Sequence, residues 1–335
     1  MDFGLDKKHE MARTLFKEFA ENEVKPLAQE VDETEVFPRA TVEKMAKYGF
    51  LGIPVPKEYE GQGCDPLTYV MCVEELAKVC ATTSVIVSAH TSLCIDPILT
   101  YGTPEQKAKY VPDLASGRKL GAFGLTEPGA GTDAQGQQTK AVLDGDEWVL
   151  NGSKCFITNG GIASFYCVTA MTDKTKGVKG MSMFFVEKGT PGLSTGKEEN
   201  KMGIRTSNTC DVVLEDVRIP ASNLIGEEGK GFNIAMQTLD QARTWMGCVA
   251  TGIAQRGINE AIAYGKERVQ FGKPIIKNQA LKFKVADMEI KTETARQMVA
   301  HALTKMDLGL PYTKESAIAK CYASDIAMEV ASEAI

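Results

Sequence analysis

The sequence is poor in the features that mark several protein classes. It has only three histidines (His9, His90, His301), far apart, and its nine cysteines at positions 64, 72, 80, 94, 155, 167, 210, 248 and 321 include no CxxC pair. Neither a metal site nor a disulfide framework is expected from that pattern, and the cysteines read as mostly buried, reduced thiols. No apolar run approaches the ~18 residues that a membrane-spanning helix needs, and the stretch from Met1 to Glu10 is polar and charged, without the apolar core of a secretory signal. No membrane partner is expected, and a cytoplasmic location follows by default. Positive charge is also short, with 38 Lys and Arg against 44 Asp and Glu and a net charge of -6, so nothing draws the chain to nucleic acid phosphates.

What remains is an ordinary globular composition, 43% hydrophobic and 24% charged over 335 residues, enough for two or three domains. Residues 1–120 read as helical. Met11, Leu15, Phe16, Phe19, Val24 and Leu27 repeat at three- and four-residue steps, as do Leu67, Val70, Met71, Val73 and Leu76, and these are expected to be helix-bundle core. Thr103-Pro104-Glu105-Gln106 has the form of a capped helix start. From 121 to 230 the texture is that of short strands: Ala141 to Leu143 and Trp148 to Leu150 about a turn at Asp144-Gly145, then Phe165 to Met171, Met181 to Val186 and Cys210 to Val217. Helices resume over 231–335, the first running to about Arg268 with small residues (Gly247, Ala250, Ala254, Ala261, Gly265) that permit close packing, followed by helices from Gln279 to Met306 and from Thr313 onward.

Two segments carry the functional signal. Gly124-Leu125-Thr126-Glu127-Pro128-Gly129-Ala130-Gly131-Thr132-Asp133 offers two threonine hydroxyls and backbone N–H groups made approachable by glycine, suited to a planar acceptor ring and a phosphate. Asn151-Gly152-Ser153-Lys154-Cys155-Phe156-Ile157-Thr158-Asn159-Gly160-Gly161 places Phe156 and Thr158 two apart, on one face of an extended segment. Together they look like the two sides of a flavin site. Gly129 to Ala134 also satisfies G-x-G-x-x-A, but that dinucleotide fingerprint needs a strand before it and a helix after it, whereas Glu127-Pro128 breaks the approach and a hairpin follows.

With a third match, Glu267-Arg268-Val269-Gln270-Phe271-Gly272-Lys273-Pro274, the chain resembles the acyl-CoA dehydrogenase family, closest to its short-chain (butyryl-CoA) branch. The resemblance implies an α+β fold with an N-terminal helical domain, a middle β-barrel-like domain and a C-terminal helical bundle. It implies FAD as cofactor, held by Phe123, Leu125, Thr126, Thr132, Phe156, Ile157 and Thr158, with Arg268, Phe271 and Gln279 reaching the adenosine diphosphate half of a neighbouring subunit's FAD in a homotetramer. It implies an acyl-CoA substrate met by Thr132, Asp240 and Arg243, and electrons leaving to an electron-transfer flavoprotein. The implied base is a glutamate beyond Ile335. The helix from Thr313 ends without a cap, so the last bundle is expected to be incomplete and no residue of the chain is expected to be the catalytic base. Ala242, the residue before Arg243, offers no substitute, and Gln241, Ala242 and Trp245 are bulkier than the short-chain pattern. The alternatives are an enoyl-CoA reductase working in reverse, a non-catalytic flavin- or CoA-binding fragment, and a flavin oxidase or monooxygenase of the same architecture.

Overall fold

A computed structural model describes residues 5–335; the first four residues of the polar amino terminus lie outside the described residues. The described residues form two compact units, one from residues 5–30, Asp65–Val85 and Asp240–Ile335, the other from Val31–Cys64 and Ile86–Leu239.

The first unit is helical. Asp6 caps the helix Lys7–Phe19 by accepting from the His9 backbone N–H. Phe16, Phe19 and Val24 are buried as expected, but Met11 (65% exposed), Leu15 and Leu27 are not. A π-helical turn over Ala20–Val24 explains part of the difference: its wider turn shifts the buried face, and a stripe extrapolated at 3.6 residues per turn loses phase across it. Upstream, the buried stripe is narrower than the sequence pattern suggested. The helix Pro66–Ala77, capped by Asp65 through the Thr68 N–H, is buried on almost every side. Its Val70, Met71, Val73 and Leu76 are core, and Leu67 is half-buried. That burial extends to Glu74 and Glu75, which are held in ion pairs: Glu74 with Arg296 (2.9 Å), Glu75 with Arg13 (3.0 Å) and Lys78 (2.8 Å).

The helices Gly231–Glu267, Gln279–Asp307 and Thr313–Ala334 run as the periodicity predicts. Ala250, Ala254, Ile258, Met288, Ala295, Ala323, Ile326, Ala327 and Val330 form one core cluster. Small residues set the helix spacing here. A side chain at Gly252 would meet the Ala77 Cβ at 2.5 Å and the Glu74 carbonyl oxygen at 2.8 Å, so this glycine, unremarked in the sequence, marks the closest approach.

The second unit is built on an eight-stranded sheet: β1 (Gly121–Gly124), β2 (Lys140–Asp144), β3 (Glu147–Thr158), β4 (Phe165–Met171), β5 (Met181–Glu187), β6 (Leu193–Thr195), β7 (Thr209–Pro220) and β8 (Leu224–Ile225). The order is β6-β7-β3-β2-β4-β5-β8, with β1 parallel to β4. The short strands β1, β6 and β8 are not legible in the sequence, β1 because glycine occupies both of its ends. β4 and β5 are buried on both faces, and consecutive residues enter two different cores. Phe165, Cys167, Met183 and Phe185 join Tyr110 and Leu114 on one side; Tyr166, Val168, Phe184 and Val186 join Trp148 and Leu150 on the other. The Thr103 capping box forms, and Gln106 also donates to the Ser222 and Leu224 carbonyls, fixing the helix Pro104–Ala115 to β8. The architecture is thus α+β, helical toward both ends of the chain with the sheet between.

Six of the nine cysteines are buried and none is in a disulfide. Among the described residues no cluster of His, Cys, Asp and Glu is arranged to hold a metal, and no helix is long and apolar enough to cross a membrane.

Candidate functional site

The end of β3 carries a bulge. Lys154 pairs with Val212 and Ile157 with Cys210, so three steps on β3 answer two on β7 and one residue is left over. Phe156 takes up the excess at φ +59°, with its ring 64% exposed. A large aromatic in the left-handed region costs roughly 1–2 kcal/mol, which the surrounding ladder must offset. The bulge turns the ring toward a recess of about 180 Å3 whose lining includes Phe123, Leu125, Thr126, Ile157 and Thr158. Phe156 and Thr158 therefore share a surface, through a bulge rather than by the plain strand alternation expected. Ala89, Leu93 and Leu239 also line it. They had no signal in the sequence, since Ala89 and Leu93 sit on a second π-helical turn, Ala89–Ile95.

The first segment follows β1 as a tight turn in which Glu127 and Ala130 exchange backbone hydrogen bonds, 3.1 and 3.0 Å, around Pro128-Gly129. A Cβ at Gly129 or Gly131 would meet nothing within 4 Å, which leaves the backbone open to an approaching group. A 3-10 turn over Ala134–Gly136 and then β2 follow, and no dinucleotide-type helix forms. Thr132 is exposed on this loop and is not among the residues lining the recess. The two segments are joined directly where the Cys155 N–H donates to the Thr126 carbonyl, 2.9 Å.

Beneath them lies Lys154, fully buried. Its ammonium is within 2.7 Å of Glu127 Oε1, 3.0 Å of Gln137 Oε1, 3.2 Å of the Leu125 carbonyl and 3.3 Å of Thr169 Oγ1. Burial pulls its pKa down to about 8 against the opposing pull of Glu127. Burial alone would raise the Glu127 carboxyl, but the Lys154 charge and the Gln138 and Thr139 donors leave it below its usual value. Both groups are charged at neutral pH. Both lie inside the motif segments, where the sequence gives no sign of the pair because a charged residue in a glycine-rich segment reads as solvated.

The other expected site residues belong to the helical unit. Asp240 and Arg243 are ion-paired one turn apart, and Thr313 donates to Asp240 Oδ2 at 2.7 Å. Ala242 is buried, and Trp245 packs edge-on to Tyr69 with ring centroids 5.1 Å apart, so its bulk is spent in the core of that unit. Arg268 and Gln279 are exposed on either side of a small hairpin, Val269–Gln270 with Lys273–Pro274, and Phe271 at its tip is 97% exposed at φ +52°.

A recess that sets an aromatic face beside apolar walls, with threonine hydroxyls from two segments, has the chemistry of a slot for a planar ring with polar edges. The exposed Phe156 ring, held at a conformational cost, has no other evident use in the fold. These residues suit a planar cofactor ring such as a flavin. Comparison with known proteins narrows the choice. Residues 6–118, 122–217 and 229–335 match the acyl-CoA dehydrogenase N-terminal, middle and C-terminal domains. The short-chain specific acyl-CoA dehydrogenase of Clostridium acetobutylicum is 55% identical over 100% of this chain and 88% of its own length. The structure of butyryl-CoA dehydrogenase from Megasphaera elsdenii superposes with a TM-score of 0.98 at 47% identity, covering 100% of this chain and 88% of that one. A chain in a structure described as the electron transferring flavoprotein of Acidaminococcus fermentans gives 0.98 at 50% identity with the same coverage. The chain belongs to the acyl-CoA dehydrogenase family and is an FAD-dependent oxidoreductase. The expectation that its last bundle is incomplete is not borne out by these comparisons.

Proposed function

We propose that the protein dehydrogenates short-chain acyl-CoA thioesters to trans-2-enoyl-CoA and passes the electrons to an electron-transfer flavoprotein. The observation that carries the reading is Phe156, turned out by a bulge at φ +59° to face the recess that Thr126 and Thr158 also line. The kinship with proteins described as short-chain specific and as butyryl-CoA dehydrogenase supports the short acyl chain, and the likeness to a chain solved under an electron transferring flavoprotein description supports the electron partner.

In this reading Phe123, Leu125, Thr126, Phe156, Ile157 and Thr158 hold the flavin ring, and Thr132 meets its pyrophosphate and the substrate. Bound FAD supplies the hydride acceptor that no side chain can provide. Phe156 covers one ring face and keeps water from it, while Thr126 and Thr158 fix the ring's edges by hydrogen bonds. Asp240 and Arg243 face the substrate, the Thr313 bond and the ion pair holding the carboxylate in place. Arg268, Phe271 and Gln279 serve the adenosine diphosphate half of a neighbouring subunit's cofactor, Arg268 through charge-assisted bonds to phosphate oxygen, which makes the working form an oligomer, for which the family resemblance suggests a homotetramer. The α proton requires a carboxylate base. Buried Ala242 cannot supply one. The cytoplasm is the proposed site of action.

Anaerobic addition of butyryl-CoA to the FAD-loaded protein tests the reading. Loss of the visible flavin absorbance, restored by oxidised electron-transfer flavoprotein, is expected. If no short acyl-CoA reduces the flavin, the proposal fails; if only the reduced form reacts, and with crotonyl-CoA, the reverse reaction takes its place.

A further inference from the structure

Lys154 is an unusual residue to find wholly enclosed, because an ammonium leaves water at a cost of several kcal/mol and returns little unless its partners are well placed. Four oxygens lie within 3.3 Å of its Nζ, from Leu125, Glu127, Gln137 and Thr169. With three protons to donate, it is fully satisfied. The arrangement joins the two flavin segments: Lys154 lies two residues before Phe156 on β3, and its ammonium reaches the carbonyl of Leu125 and the carboxylate of Glu127 on the other segment. The same Leu125 carbonyl accepts a second bond, from Gln137 Nε2 at 3.1 Å. Glu127 in turn takes the Gln138 and Thr139 N–H groups and closes the turn to Ala130. One side of the recess is therefore pinned to the other from below, by groups that do not line it.

We propose that Lys154 is a positioning residue for the flavin: its buried ammonium fixes the Leu125 carbonyl and the Glu127 turn relative to the Phe156 bulge, so that the two walls of the recess keep one spacing in the protein before FAD arrives. The proposal rests on the flavin reading of the recess. Pre-setting the walls spares FAD the ordering cost on binding, so the effect of losing the pin falls on affinity. Phe156 sits in the bulge between two held neighbours, Ile157 paired with Cys210 and Cys155 whose N–H donates to the Thr126 carbonyl, and Lys154 anchors the same stretch of strand from its buried side.

A buried ion pair that merely stabilises the fold makes a different prediction, because removing both charges together can be neutral or even stabilising. The test compares FAD dissociation constants, measured by titration of the apoprotein, with urea midpoints for wild type, Lys154→Met, and the double variant Lys154→Met with Glu127→Gln. The expected result is a dissociation constant raised by about tenfold in both variants, on the scale of one charge-assisted hydrogen bond, while the double variant regains most of the urea midpoint lost by the single one. A double variant that binds FAD within about twofold of wild type would overturn the proposal. Gln137→Met supplies an independent reading should Lys154→Met not fold, since it deletes the other donor to the Leu125 carbonyl without stranding a charge. Weakening by about threefold is expected there, and unchanged affinity counts against the pin. Wild type that binds FAD but is not bleached by acyl-CoA would sink the proposed reaction and leave this inference intact.

Discussion

His90 gives the sharpest quantitative handle on the fold. Its ring is completely buried on the π-helical turn that also carries Ala89 and Leu93. The Gly121 N–H, which can only donate, points at Nδ1 at 3.0 Å, so Nε2 bears the proton and donates to the Leu114 carbonyl, also 3.0 Å. A second proton at Nδ1 would meet the Gly121 donor head-on. Burial, only partly opposed by the Leu114 bond, pushes the pKa from 6.5 to about 4. A depressed histidine pKa means that the unfolded chain takes up the proton first as pH falls. The contribution is therefore fully present above about pH 6.5 and is lost as pH drops toward 4. At roughly 1.4 kcal/mol per pH unit the whole loss is about 3 kcal/mol, with about 2 kcal/mol of it falling between about pH 7 and pH 5. That is a substantial part of the 5–15 kcal/mol typical of folded domains. Urea unfolding of wild type and His90→Gln across this range isolates the effect, because other titrating groups are common to both proteins. The variant should be less stable near neutrality and converge on wild type as the pH falls. Free energies that stay parallel within about 0.5 kcal/mol from pH 7 to pH 5 would refute the assignment. Only three histidines are present, so proton NMR can show directly whether one of them fails to titrate near 6.5.

Other residues yield simpler expectations. Phe156→Gly should leave stability unchanged or raise it by about 1 kcal/mol, since it relieves a left-handed backbone and removes a mostly exposed ring, while FAD affinity falls by roughly tenfold; a variant that unfolds earlier would show the ring to be structural. Trp245→Ala should cost about 3–5 kcal/mol in urea unfolding, as it empties a core site against Tyr69, and a cost below about 1 kcal/mol would mean that the indole is not packed as described. Glu74→Ala, which leaves half-buried Arg296 with only Glu293 and Gln255 as partners, should cost about 2 kcal/mol, to be compared by thermal melts with the same change at exposed Glu333, where almost none is expected. Thr103→Ala removes one half of the capping box and should cost about 1 kcal/mol.

Much of this was legible in the chain. The strands with alternating or continuous apolar runs, the three C-terminal helices and the capped start at Thr103 all follow local rules that act within a few residues. What could not be read arises from longer-range causes. The exposure of Leu27 depends on a π-helical turn that no residue pattern announces, and the turning-out of Phe156 depends on β3 and β7 differing by one residue between two paired points. Ala89, Leu93 and Leu239 enter the recess only through the fold. Lys154 and Glu127 illustrate a different gap: they were in plain view, but one charge in a glycine-rich segment and another in a strand become a pair only when a turn brings them within 2.7 Å. Met11 and Leu15 mark the reverse error, apolar residues that the packing does not use.

The measurement closest to the central claim is a crystal structure of the protein grown with FAD. The account predicts the flavin ring in the recess, with Phe156 against its face, the Thr126 and Thr158 hydroxyls within hydrogen-bonding distance of its edges, and Lys154 still bonded to Leu125 below. A flavin bound elsewhere, with the recess empty or closed by Phe156 folding inward, would contradict it.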